Sequence, residues 1–419
     1  METITSIHSD SRSGARRFAR FFISELRPKG RLLTPFNLIS GALILTTIVL
    51  LAIRFTGGLG TITNLSQDVP WGLWIGFDVV TGVALAGGAY VITFMVYILR
   101  IEKYEPIVRV TVLNGFLAYV FYAGALLLDL GRPWNVINPI IGNSFGFSSV
   151  LFLVAWHFLL YMMAELLEFS PVIAEWAGWP KLRRRLHALT LGAVVLGISL
   201  SILHQSGLGA LYLMAKGKIH PLWYSEFIPV LFLVSSVFAG LSMVMIEGTI
   251  SHKVFRDRVG RPLREGHDAI VIGLARICAG TMFAYLGLQI ITFVHQGRAQ
   301  WLGTGWGNWY LVEIIGLTLL PAIGFVIGAQ RRNPAWIRAA AVFALLGVII
   351  NRLNVTVIGF QSHIPVRYVP SWQEIVVTMG VISAEIWVFR WVVNRMPVLD
   401  YHIPSRKRES GDSRAMTAA

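Results

Sequence analysis

Phe36–Phe55 reads FNLISGALILTTIVLLAIRF, twenty residues with one charge, Arg54, next to the last position. A helix rises about 1.5 Å per residue, so this run covers about 30 Å, the thickness of the hydrocarbon core of a bilayer. In lipid such a segment satisfies its backbone polar groups internally as a helix. Nine further runs follow the same rule: Trp71–Leu99, Ile107–Leu130, Ser148–Phe169, Leu186–His204, Phe227–Ile250, Ala269–His295, Trp309–Ala329, Trp336–Phe360 and Gln373–Met396. None alternates polar and apolar residues as a barrel strand does. The fold class is an all-α polytopic membrane protein with ten transmembrane helices. Its membrane domain covers residues 36–396, between a basic leader (1–35) and a polar, basic tail (397–419).

Composition agrees with that reading. Of 419 residues, 55% are hydrophobic and 14% charged, and the mean hydropathy is +0.63. Soluble chains carry about 25% charged residues, so a disordered chain, an ordinary soluble enzyme and a coiled coil are excluded. The net charge of +14 has a topological origin. With alternating loops, 28 of the 36 Lys and Arg residues fall on one side and six on the other; Arg276 and Arg352 lie inside spans. The positive-inside rule then places both termini in the cytoplasm and requires no nucleic-acid partner. Arg16-Arg17-Phe18 resembles a twin-arginine export signal, but no small-residue cleavage site follows, which favours an uncleaved leader. The opposite loops carry eight of the 14 Trp residues, an interfacial belt or a docking surface.

Cys278 is the only cysteine. Internal disulfides, a zinc ribbon, a cysteine-ligated iron–sulfur cluster and a covalent c-type haem are therefore excluded, and no metal site is expected. His157, His204 and His295 all lie toward the outer side and offer one haem-ligand pair with no second tier, which disfavours a di-haem cytochrome.

Ionisable groups inside a membrane are costly and mark sites or pathways. Asp78, Asp129, His157, His204, Glu313, Arg352 and Glu374 concentrate in the outer half of their spans, whereas Glu247 lies nearer the cytoplasmic side. Glu165 and Glu168 are expected at headgroups or beside Lys181–Arg185, and Arg352 is open to pairing with Asp78, Glu313 or Glu374. Gly82, Ala86, Gly87 and Gly88 suit close helix packing. A secondary transporter would instead place its polar groups at mid-depth on broken helices. These runs look mostly unbroken, so that alternative ranks below a redox subunit.

Four stretches together carry a resemblance: Val69–Asp78 with Pro70-Trp71-Gly72, Asp129-Leu130-Gly131-Arg132-Pro133-Trp134-Asn135, His204-Gln205-Ser206-Gly207 followed by His220-Pro221-Leu222-Trp223, and Arg352-Leu353 with Pro370-Ser371-Trp372-Gln373-Glu374. Across residues 34–396 the chain resembles the polysulfide-reductase-type (NrfD-like) membrane subunits. It is most similar to the quinone-reactive HybB-like branch of periplasm-facing nickel–iron hydrogenases. The resemblance implies two four-helix bundles (spans 2–5 and 6–9) with flanking first and tenth spans, in the bacterial inner membrane. It also implies electron exchange between a periplasmic iron–sulfur partner, attached to a catalytic subunit such as a nickel–iron hydrogenase, and menaquinone or ubiquinone. Sulfur-metabolism and cytochrome-linked complexes use the same membrane chemistry. Members carry no iron–sulfur cluster or metal of their own.

Carried over by motif, Asp78 and His204 are expected at the quinone, joined by His157, Gln205, Arg352, Glu374 and Trp74. Glu247, Glu313 and Asp129 are expected on proton routes. Where hydrogenase-type relatives have a carboxylate after Ser149-Val150-Leu151-Phe152, this chain has Leu153; His157, one turn on, faces the same side.

Overall fold

Thr34, Ser149, Thr304, Asn333 and Ser371 each place a side-chain oxygen on a backbone N–H of the turn that follows, and each opens a membrane-length helix. These residue types satisfy the donors that a helix start leaves free. The computed structural model describes residues 18–29, 32–141, 149–360, 362–363 and 367–399. All ten apolar runs are helices long enough to cross a membrane: Pro35–Gly57, Trp74–Ile98, Glu102–Asp129, Val150–Trp176, Pro180–Ala215, Ile228–Val254, Leu263–His295, Gly305–Gln330, Pro334–Ile358 and Trp372–Val393, here spans 1 to 10. The protein is a multi-pass integral membrane protein.

Span 5 differs most from its expected bounds of Leu186–His204: it starts at Pro180 and runs on to Ala215. Hydropathy marks the apolar window, while Lys and Arg are good helix formers and carry the helix past the bilayer edge. Span 3 ends at Asp129, and Pro133–Ile137 forms a short 3₁₀ turn, as Gly131 and Pro133 suggest.

The antiparallel neighbours pack as two groups. Spans 2 to 5 form one, spans 6 to 9 the other, and spans 1 and 10 pair with each other against span 3. The two groups meet where Gly87 and Gly88 of span 2 lie on Gly240 of span 6: a Cβ at Gly87 would come within 2.6 Å of the Ser236 carbonyl oxygen. The small-residue run thus serves close packing. Gly82 is covered by the Tyr122 ring. Span 1 turns Leu38, Ile39, Leu45 and Ile48 outward, an apolar surface suited to lipid.

One expectation needs correction. The spans are not plain α-helices: Trp74–Thr81, Phe94–Ile98, Val312–Leu319 and Asn354–Ile358 are π-helical. Part of the leader is also ordered at the basic end of the bundle. Residues 18–25 form a helix whose Phe18 and Phe21 lie 4.8 and 5.0 Å from the rings of Trp179 and Trp176. Arg395 holds it by donating to the Glu25 and Arg27 carbonyls. Arg12, Arg16 and Arg17, and the tail from residue 400, lie outside the described residues.

Candidate functional site: polar groups buried between the spans

The expected site residues separate into three clusters. The first ties spans 1, 2, 3 and 10 together at the tryptophan-rich end. Glu374 is 1% exposed and accepts from the Tyr368 hydroxyl (2.5 Å), Ser371 N (2.8 Å) and Asn64 N (3.1 Å). Tyr368 Oη in turn accepts from Leu73 N at 2.9 Å, and Trp74 Nε1 donates to the Glu374 carbonyl at 3.2 Å. Glu374 and Trp74 therefore clamp the loops before spans 2 and 10. Burial and the adjacent Glu374 carboxylate push the Tyr368 phenol up. Deeper in, Asp78 Oδ2 accepts from Thr378 Oγ1 at 3.0 Å. Asp129 Oδ1 finds no partner among the described residues, and Arg54 donates to the Leu128 and Leu130 carbonyls at the end of span 3.

The second cluster lies inside spans 2 to 5. His204 is 2% exposed and its Nδ1–H points at the Val154 carbonyl, 3.2 Å away. Nε2 is then an acceptor in the neutral ring, and it has no partner among the described residues. Tyr119 and Phe158 flank the ring at 5.6 and 5.5 Å. His157 is half-buried one turn beyond Val154, and its Nδ1 is also unpartnered. Leu153, where relatives are expected to carry a carboxylate, is 39% exposed on the outside of span 4. Gln205 Nε2 donates to the Val83 carbonyl at 2.8 Å and so ties span 5 to span 2.

The third cluster lies in spans 6 to 9. Glu313, 2% exposed, accepts from Trp223 Nε1 (2.7 Å), Asn351 Nδ2 (2.7 Å) and Asn354 Nδ2 (2.5 Å). Arg352 is fully buried and makes no ion pair among the described residues. It donates to Ser235 Oγ (2.8 Å), the Phe232 carbonyl (3.1 Å) and Asn351 Oδ1 (3.3 Å), and its guanidinium lies 3.4 Å over the Phe232 ring. Asn351 thus relays Arg352 to Glu313, an arrangement that spacing alone did not reveal. Glu247, farther toward the basic end, accepts from Asn114 of span 3.

Glu165 departs from expectation, whereas Glu168 lies near Arg183 as expected. Glu165 is 2% exposed and accepts from Tyr161 at 2.5 Å, so it is a core group and touches no headgroup. Glu168 lines a cavity of about 110 Å³ with Arg109, Arg183 and His187, the last two from span 5. Smaller cavities lie beside His252 and His267, and beside Arg298 and Asn351; none of these three is lined by Asp78 or His204.

Sequence comparison gives the architecture a family. The model of the polysulphide reductase NrfD family matches residues 61–363. A protein of Nitratidesulfovibrio vulgaris is 39% identical, over 88% of this chain and 96% of its own length. The probable Ni/Fe-hydrogenase 2 b-type cytochrome subunit of Escherichia coli is 27% identical, over 88% and 94% respectively. The menaquinone reductase integral membrane subunit of N. vulgaris is 29% identical, over 76% and 80%. The chain belongs to the NrfD family of polysulphide-reductase-type membrane subunits.

Proposed function

We propose that this chain is the quinone-reactive membrane subunit of a respiratory oxidoreductase. Its basic face lies in the cytoplasm, and its tryptophan-rich face receives an iron–sulfur subunit of the complex. Similarity to the E. coli hydrogenase subunit favours a nickel–iron hydrogenase as the catalytic partner. Similarity to the menaquinone reductase subunit supports a quinone as the membrane substrate.

The observation that carries the reading is the pair of unpartnered ring nitrogens, His204 Nε2 and His157 Nδ1, in the outer half of spans 5 and 4. Buried polar atoms in native proteins are nearly always partnered, so two orphans on neighbouring spans mark a place built for a ligand or water. Reducing a quinone consumes two electrons and two protons. His204 holds one nitrogen fixed on Val154 and leaves the other free to accept a hydrogen bond or a proton. His157, beside lipid-facing Leu153, stands where a molecule entering from the bilayer first meets a polar group. Asp78, held by Thr378, supplies a second titratable group within the same half of the protein. Glu374, Trp74 and Gln205 shape the region by fixing loops and helices.

The test uses the complex purified with its partner subunits. Quinone-analogue binding is read by quenching of intrinsic Trp fluorescence, and turnover by quinone absorbance. His204→Ala and Asp78→Asn should lower quinone turnover at least a hundredfold with the complex still assembled. Normal turnover in both variants would overturn the assignment.

A further inference from the structure

From His204 toward the basic face, the interior of spans 3, 4 and 5 contains a series of polar side chains, several of which keep a hydrogen-bonding atom without a partner among the described residues. Among the described residues, His204 Nε2, Tyr119 Oη, Ser201 Oγ, one oxygen of Glu165 and one of Glu168 have no well-formed hydrogen bond. Tyr119, Ser201, His204 and Glu165 are each at most 2% exposed. Five orphans in one bundle are many for a native interior, where each unpaired buried group costs about 1–3 kcal/mol.

The order of these groups along the helices is systematic. On span 4, Tyr161, Glu165 and Glu168 follow one another at helical spacings of four and three, so they share a face. On span 5, Ser201 lies one turn from His204. The Tyr119 and Tyr161 rings are in edge contact at 4.6 Å, and Ser201 faces both phenols. Tyr161 donates to Glu165 at 2.5 Å, the one direct link in the series. Glu168 opens onto the cavity of about 110 Å³, whose rim carries Arg183 and His187 on the basic, solvent-facing end of span 5. The cavity has room for water, and Glu168 brings an unpaired oxygen to its lining beside Arg109, Arg183 and His187, so ordered water is expected next to Glu168.

We infer that Glu168, Glu165, Tyr161, Ser201 and Tyr119 form a water-bridged proton conduit from the cavity on the basic face to His204. The conduit rests on the quinone-reactive reading and adds the source of the protons. A proton enters at Glu168, each group passes one on and is returned to its starting state, and one proton leaves from His204. For each quinone reduced, two electrons come from the iron–sulfur partner and two protons traverse the column. Glu247 lies outside this series, on span 6 with Asn114.

Two measurements decide it on the intact complex. In radiolytic hydroxyl-radical footprinting, Tyr119 and Tyr161 should be modified at least tenfold faster than Tyr90, which is equally buried but hydrogen-bonded to Ser236. Glu165→Gln should keep quinone-analogue binding within twofold, slow quinone reduction at least tenfold and raise its solvent deuterium isotope effect; Tyr161→Phe should do the same. Labelling of Tyr119 and Tyr161 no faster than Tyr90, or parental turnover in Glu165→Gln, would overturn the conduit. A parent complex that binds and reduces no quinone would instead overturn the functional reading, and the footprint still judges the column.

Discussion

Replacing Glu374 with Gln separates a structural role from a quinone-binding one. The carboxylate is buried and accepts three hydrogen bonds: from Tyr368, from Ser371 N at the start of span 10, and from Asn64 N in the loop before span 2. Glutamine keeps one acceptor oxygen, which can serve the two backbone donors that meet at Oε2. Its amide group then faces Tyr368 Oη, which already accepts from Leu73 N. The Tyr368 bond is lost and the other two change from charged to neutral. Hydrogen bonds to charged groups contribute about 1.5–3 kcal/mol and neutral ones about 0.5–1.5, so the loss is about 3.5–6 kcal/mol. Ser371→Ala removes the other half of the capping box and should cost about 1–2 kcal/mol. Denaturant titration of the detergent-solubilised protein, followed by Trp fluorescence, reads both values. Glu374→Gln should be the larger loss by at least about 2 kcal/mol, with the quinone KM of the assembled complex within threefold of the parent. A Glu374→Gln protein as stable as Ser371→Ala would refute the clamp.

Other consequences are as specific. Gly240→Ala places a Cβ against the backbone of Gly87 and Gly88, where no side chain can swing aside, so a loss of about 2–3 kcal/mol is expected in the same titration. Arg298→Ala should cost about 3 kcal/mol, because the buried guanidinium holds the Leu222 and Tyr224 carbonyls of the loop between spans 5 and 6. His220, enclosed by Trp223, Trp301 and Trp306, has its pKa lowered by burial. Its unfolded state takes up a proton first as pH falls below about 6.5, so the stabilisation is complete above that pH and declines below it. His220→Phe should flatten the acid limb of stability between about pH 7 and 5, and an unchanged limb would contradict this.

What the sequence makes legible follows the range of the forces involved. Ten spans can be read because lipid imposes one length and one polarity on every crossing, and both are local properties of the chain. That Asp78, His204, Glu313 and Arg352 are buried is legible on the same grounds. Their partners are not. Asp78 meets Thr378 some 300 residues away, Arg352 bonds to Ser235 and a carbonyl of span 6 in place of any of its expected acids, and Glu374 is occupied by its own cap and by two loops. Charge complementarity offered three partners for Arg352; helix packing selected none of them. Glu165 was misplaced because its distance from the helix end suggested headgroups, whereas the face it occupies turns it onto Tyr161.

The π-helical turns are the feature that sequence periodicity hides most completely, and they fall where the polar residues are. Of the four, one holds Asp78, one holds Glu313 and one begins at Asn354, two residues after Arg352; the fourth, Phe94–Ile98, holds no charged residue. A π turn adds a residue and frees a carbonyl from its normal partner, a cost inside a membrane. Thr81 donates to the Gly76 carbonyl at 2.8 Å and Thr318 to the Glu313 carbonyl at 3.3 Å, each five residues back, while Thr356 donates to the Arg352 carbonyl at 2.7 Å. In these three of the four wide turns a threonine therefore satisfies a nearby carbonyl. The extra residue also shifts every later side chain by about 100° around the axis. In span 2 this sets the face on which Asp78 reaches Thr378 of span 10, while Val83, farther along, presents its carbonyl to Gln205 of span 5. A plain α-helix through Trp74–Thr81 would rotate one of those contacts away from its partner. Thr81→Val removes the hydroxyl and keeps the shape, so it isolates this effect. It should weaken the π turn, move Asp78 relative to His204 and lower quinone turnover more than it lowers stability. A variant that loses stability alone would show that the wide turn serves packing and that the position of Asp78 does not depend on it.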